Sequence, residues 1–205
     1  MIVRNVFLLL AGLLLTAGVQ ATNNNPITED AETAKVDVEK STVKWHGYKV
    51  TGEHYGTVQL KDGELVFQDG KLVDGKFAID MATIVSDDLS GDSKGKLEGH
   101  LKSDDFFGVE SHPHSTLDIT NVVPYTGGVY KVVADLTIKG ITKEIKFEAQ
   151  VKENAGGYLA TADIEIDRSE FNVRYGSGSF FDNLGDKTIY DEFEISVEIQ
   201  TKEAM

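Results

Sequence analysis

From Ile189 to Gln200 the chain alternates apolar and polar residues almost without a break. Ile189, Phe193, Ile195, Val197 and Ile199 fall on one face, and Tyr190, Glu192, Glu194, Ser196, Glu198 and Gln200 on the other. A period of two sends successive side chains to opposite sides of an extended strand, leaving one dry face and one wet face. The same period runs through Tyr130, Val132, Ala134, Leu136 and Ile138. It recurs in Ile141, Ile145, Phe147, Ala149 and Val151, set against Thr142, Glu144, Lys146, Glu148 and Gln150. Strands of this kind cannot stand as an open flat sheet, because the dry face and the unpaired edges both need cover. Closure into a barrel or stacking into a sandwich satisfies both.

Further strands are expected at Thr42–Lys49, Glu53–Lys61, Glu64–Gln68 or its continuation through Lys71 to Met81, Ser115–Val122 and Tyr158–Ile166, about eight strands in all. Turn signals stand between them at Asp62-Gly63, Asp69-Gly70, Asp74-Gly75, Gly127-Gly128, Lys139-Gly140 and Gly156-Gly157. Dipeptides of this type supply the positive backbone angles that tight hairpins need. The alternation stops between Ile84 and His114, where Leu97 and Leu101 are spaced for one or two helical turns. Long excursions of this sort between strands usually cap or gate something.

Met1–Ala21 carries Arg4, an apolar run from Val6 to Leu15 and a Val19-Gln20-Ala21 ending. That is the layout of a secretory signal cut after Ala21, and it predicts export. The run is short for a bilayer span, so stable membrane insertion is not expected. Residues 22–36 are polar and acidic at first and read as a flexible lead-in, with one domain over residues 37–205. The chain contains no cysteine, so neither a disulfide framework nor a lipidated cysteine at the N-terminus is open to it. Stability must come from an ordinary core. Thirty-four acidic residues against twenty basic ones oppose binding to nucleic acid or to anionic lipid surfaces, which depends on clustered positive charge.

Trp45 and the blocks TGEHYGTVQLKDGELVFQDGKL, GKFAIDMATIV, GHLKSDDFFGVESHP, DLTIKGITKEIKF, IEIDRSEFNVRYG and LGDKTIYDEFEISVEI follow in order from Asp37 onward. Together they resemble the YceI-like family, bacterial periplasmic proteins associated with polyisoprenoid binding. The resemblance implies an all-β fold: an eight-stranded antiparallel lipocalin-like barrel with a short helical segment near residues 86–107. It also implies an elongated apolar cavity for a long-chain isoprenoid or similar amphiphile, in a non-enzymatic protein without a cofactor. Eight strands enclose an interior just wide enough for side chains or one small ligand. Gly108 and His112 depart from the commoner family pattern, which has Asp and an aromatic residue there.

Seven residues are candidates for contact with such a ligand: Trp45, His100, Leu101, Phe106, Phe107, Arg168 and Phe171. The two phenylalanines of "DFF" offer broad apolar surface to a flexible chain. Arg168, in the family's IxRxxF motif, can hold a head group or a protein carboxylate such as Asp191. The ligand is expected to be an isoprenoid, a quinone-like molecule or a fatty amide, and a homodimer is open. Two other readings stand beside this one. The first is a metal-assisted hydrolase using His100, His112 and His114 with Asp105, which would need three or four converging ligands. The second is a barrel packed solid with side chains that meets a protein partner through its acidic surface.

Overall fold

The computed structural model describes residues 31–154 and 156–202. The secretory signal expected at Met1–Ala21 lies outside the described residues. Among the described residues nine strands are present: β1 (Glu32–Lys35), β2 (Thr42–Lys49), β3 (Gly52–Gln68), β4 (Lys71–Ser86), β5 (His114–Pro124), β6 (Val129–Ile138), β7 (Ile141–Asn154), β8 (Gly157–Asp167) and β9 (Ile189–Gln200). One helix, α1 (Gly91–Lys102), follows β4. From β2 to β9 each strand pairs antiparallel with its neighbour in the chain, and β9 pairs back onto β2 with Val43 opposite Val197 and Trp45 opposite Ile195. The result is a closed eight-stranded barrel with one additional strand and one short helix.

The additional strand corrects the expectation of a flexible segment up to residue 36. β1 lies end to end with β2 along β3, with Ala34 opposite Leu65, and Val36 bridges to Thr201. Ala34 and Val36 are buried, and Lys35 forms an ion pair with Glu64. Two small apolar side chains in alternation are enough to dock the segment once β3 offers a free edge.

Two of the expected turns are also corrected. β3 runs straight through Asp62-Gly63 and β4 straight through Asp74-Gly75. These glycines make room rather than turn the chain: a Cβ at Gly63 would stand 2.9 Å from Phe77 and Val36, and one at Gly75 would stand 2.9 Å from Leu65. The register between β3 and β4 shifts between Leu60 and Asp62 and again between Val66 and Phe67, bulges that bend long strands around a small barrel. Asp69-Gly70 is the real hairpin, with both residues at positive φ.

One end of the barrel is plugged. Phe67 stacks on Tyr158 with ring centroids 3.6 Å apart, and the Tyr130 hydroxyl accepts from the Leu72 amide at 3.4 Å. At the other end α1 and the turn after it, through Val109, lie across the opening and place Leu101 and Phe106 in the core.

Candidate functional site

Inside the barrel is a cavity of about 210 Å³. The inward positions of β2 to β9 line it, almost all of them aliphatic or aromatic, in the phase the alternation set. Several of these residues, such as Phe77, Ile145, Phe147 and Phe193, are only partly buried, because they face open space instead of one another.

Of the seven candidate residues, Trp45, Leu101, Phe106, Phe107 and Arg168 line the cavity. Four candidates converge at the helical cap around Phe106. Its ring meets Phe107 edge-on at 5.0 Å and His100 edge-on at 5.9 Å, while the Arg168 guanidinium lies 5.4 Å from its centroid. His100 stands behind Phe106, packed edge-on against Tyr175 at 4.2 Å. Phe171 is buried in the 3-10 turn that follows β8. Trp45 donates its indole N–H to the Val85 carbonyl at 3.1 Å, and Gly56, opposite it in register, leaves space for the ring: a Cβ there would fall 2.9 Å from the indole.

Arg168 is buried and its donors are taken up by the protein. Nε donates to the Tyr190 carbonyl at 3.0 Å, Nη1 to Val173 at 2.7 Å and Tyr175 at 3.0 Å, and Nη2 to Ile189 at 2.9 Å. Nη2 also lies 3.2 Å from Asp191 Oδ1. Burial pushes the guanidinium down from its ordinary value and the charge of Asp191 works against that. The side chain therefore pins the loop of residues 172–175 and the start of β9 to the barrel, with its guanidinium over the Phe106 ring.

The cap is fastened by a polar chain that the sequence did not announce. Glu98 on α1 accepts from the Ser86 amide at 2.9 Å, the Ser86 hydroxyl donates to Asp88 at 2.8 Å, and Asp88 lies 2.7 Å from His54 Nδ1 and 3.2 Å from the Tyr55 amide. Burial alone would raise the Asp88 carboxyl; the hydrogen bonds from His54, Ser86 and Tyr55 outweigh it and hold the group below its ordinary value. On the far side Lys139 Nζ donates to the Asp104 carbonyl at 2.7 Å. Ser115 is a second residue missed in the sequence, although alternation with Leu117 and Ile119 could have found it: it is buried and faces the cavity from β5.

The three histidines do not meet. His100 is in the cap, His112 packs on the Lys139-Gly140 turn and His114 contacts Lys61 on the outside of β5. Among the described residues no three His, Asp or Glu side chains are grouped so as to hold a metal ion.

The YceI-like domain matches residues 35–201 of this chain. The chain belongs to the YceI-like family. Its relatives include a UPF0312 protein of Photorhabdus laumondii, 31% identical over 150 residues that cover 70% of this chain and 72% of the relative. A UPF0312 protein of Yersinia pestis is 27% identical over 171 residues, covering 80% and 83%. Among solved structures the barrel is similar to that of Burkholderia cenocepacia BcnA, with a TM-score of 0.64 at 24% identity over 82% of this chain and 99% of that one. A polyisoprenoid-binding domain of Saccharophagus degradans, implicated in plant cell wall breakdown, superposes with a TM-score of 0.60 at 10% identity over 85% and 99%. These likenesses extend the YceI-like fold across the whole barrel.

Proposed function

We propose that this YceI-like protein is an exported carrier or sequestering protein for a long-chain isoprenoid or a similar amphiphile, such as a quinone-like molecule or a fatty amide. The observation that carries the reading is the closed barrel with an apolar, unfilled interior beneath an aromatic cap. A YceI-like barrel and a polyisoprenoid-binding structural relative support a lipid-like ligand, and the layout of Met1–Ala21 supports export to the periplasm.

Apolar burial drives the binding. Each methylene removed from water contributes about 0.8 kcal/mol, so a five-carbon isoprenoid unit contributes roughly 2–4 kcal/mol until the cavity is full. Ligand pockets fix orientation with few polar groups, and Ser115 offers such a hydroxyl from the wall. Arg168 contributes shape and support, since its N–H groups are committed to four carbonyls and Asp191.

Mass spectrometry of organic extracts from the purified protein tests the reading, together with energy transfer from Trp45, the only tryptophan, to a polyene probe such as retinol. A bound lipid in the extract and saturable transfer are expected. Repeated extracts without lipid and no uptake of retinol or longer prenols would refute it.

A further inference from the structure

The barrel is not sealed along its side. β7 pairs with β6 along Ile141–Gln150, and β8 pairs with β9 along Leu159–Asp167. Between themselves, however, β7 and β8 pair only from Asn154 opposite Gly157 up to Ala149 opposite Ala162. Above that point Ile141–Glu148 and Asp163–Asp167 are both part of the barrel wall and are not hydrogen-bonded to each other. At about 3.3 Å per residue the unpaired stretch of β8 is roughly 15 Å long.

Side-chain charge explains the fork. Continuing the register past Ala149 and Ala162 sets Glu148 against Asp163 and Glu144 against Asp167, like charges that oppose strand pairing when placed across from each other. Lys146 would face Glu165, but its ammonium is engaged by Glu144 of its own strand at 3.0 Å. Lys143 adds one further cation, on the inward phase of β7 and half-buried.

The fork is also thin-walled. A shallow external cleft lined by Glu148, Gln150 and Asp163 shares Ala149, Thr161, Ala162 and Val197 with the lining of the internal cavity. Where the strands part, Ala149, Thr161, Ala162 and Val197 are what stand between inside and outside. β4 and β5 also stop pairing, beyond Lys76 and Asp118, but that gap is filled: Ile119 lies 3.0 Å from where a Gly75 Cβ would be, and Tyr130 binds the Leu72 amide. The Phe67–Tyr158 stack occupies one end of the barrel and the fastened cap lies over the other, where the lining runs out to Gly47, Tyr48 and the exposed Tyr190 beside the β2–β9 register shift.

We propose that the slot between β7 and β8 is the doorway through which the ligand chain enters and leaves the cavity sideways. The 3-10 turn Arg168–Phe171, which packs against β7, is its upper lintel, and the Ala149–Ala162 pair is its sill. An apolar chain sliding between the strands passes the inward faces of Ile145, Phe147, Ile164 and Ile166 without disturbing the cap. The proposal rests on the carrier reading above.

The test uses the full chain with Lys146→Cys and Glu165→Cys, a pair on the outer faces of the slot in a protein with no other cysteine. A disulfide, or a short dithiol-reactive spacer verified by mass, bridges the strands, and retinol loading is followed by energy transfer from Trp45. Bridging should slow loading and release by roughly tenfold or more, as closing a gate does, with affinity at equilibrium preserved and the rate restored on cleaving the bridge. A second variant, Glu144→Lys with Glu148→Lys, turns both repulsive pairs attractive and should slow loading at low salt but not at high salt. Loading of the bridged protein at the unbridged rate overturns the doorway and assigns the route to the cap. Absence of loading by the parent protein, with or without bridging, instead overturns the carrier reading on which the doorway depends.

Discussion

Replacing Arg168 with Met separates a guanidinium that builds the barrel end from one that holds a ligand head. Met keeps the apolar stem and removes every donor. Asp191, with its side chain 13% exposed, then loses the cation paired with it, and breaking one side of a buried ion pair costs about 3–5 kcal/mol. The Val173 carbonyl, bonded within buried surroundings, is left unpaired at a further 1–3 kcal/mol or so; the other three carbonyls are nearer solvent and recruit water. The loss of about 4–8 kcal/mol compares with a total stability of roughly 5–15 kcal/mol for a domain. Urea unfolding, read by far-ultraviolet circular dichroism and by Trp45 fluorescence, should show the midpoint lowered by roughly 2–4 M, at a slope of about 2 kcal/mol per M. Adding Asp191→Asn should recover roughly 2–3 kcal/mol by removing the stranded charge. The reasoning is refuted if Arg168→Met unfolds within about 1 kcal/mol of the parent, and refuted in favour of a ligand contact if such a stable variant no longer takes up retinol.

Gly56→Ala should destabilise by about 3 kcal/mol or more, since the new methyl meets the Val85 carbonyl at 1.9 Å and the Trp45 ring at 2.9 Å; a shifted Trp45 emission maximum with a lower denaturation midpoint checks it. Phe106→Ala should keep the barrel while loosening the cap, raising the dissociation rate of a loaded probe in stopped-flow exchange. For Asp88 the folded value lies below its ordinary 3.8. Its contribution is therefore fully present above that ordinary value and is lost as pH falls through the lowered one. Acid titration of hydrogen exchange in α1 should show protection constant from neutrality down to about pH 5, falling below pH 4 or so, with Asp88→Asn reduced at neutral pH and flatter in acid.

Much of the barrel was legible because alternation reports which face of a strand is dry. β6, β7 and β9 came out close to their final bounds on that ground alone, and the interruption after Ile84 became α1. Glycine was harder to read. The same Asp-Gly dipeptide makes a hairpin at Asp69-Gly70 and merely clears space at Asp62-Gly63 and Asp74-Gly75, a difference set by Phe77, Val36 and Leu65 arriving from elsewhere in the chain. The role of Arg168 was legible only in part: the pairing with Asp191 was among its readings, but its other partners are backbone carbonyls, which every residue has, brought in by the loop at Val173 and by β9. Nor could alternation show the slot, since a strand keeps its dry and wet faces whether or not its neighbour is hydrogen-bonded to it.

The closing of the sheet has a bearing on how the chain folds. Seven of the eight contacts around the wall join strands that follow each other in sequence; five of them close through short turns and can zip as local hairpins, while β4–β5 spans α1 and β8–β9 spans residues 168–188. The eighth joins β2 to β9, where the Gln200 amide donates to the Ser41 hydroxyl across 159 positions. A contact that distant carries the largest loop-closure entropy and should form last. Until then the apolar lumen is an exposed trough with two raw edges. The same seam brings the two termini of the domain together, with Lys202 donating to the Lys35 carbonyl at 2.7 Å. A short linker there, with the chain reopened at the exposed Gly156, would make β2 and β9 an early hairpin and move the slow step to another wall of the barrel.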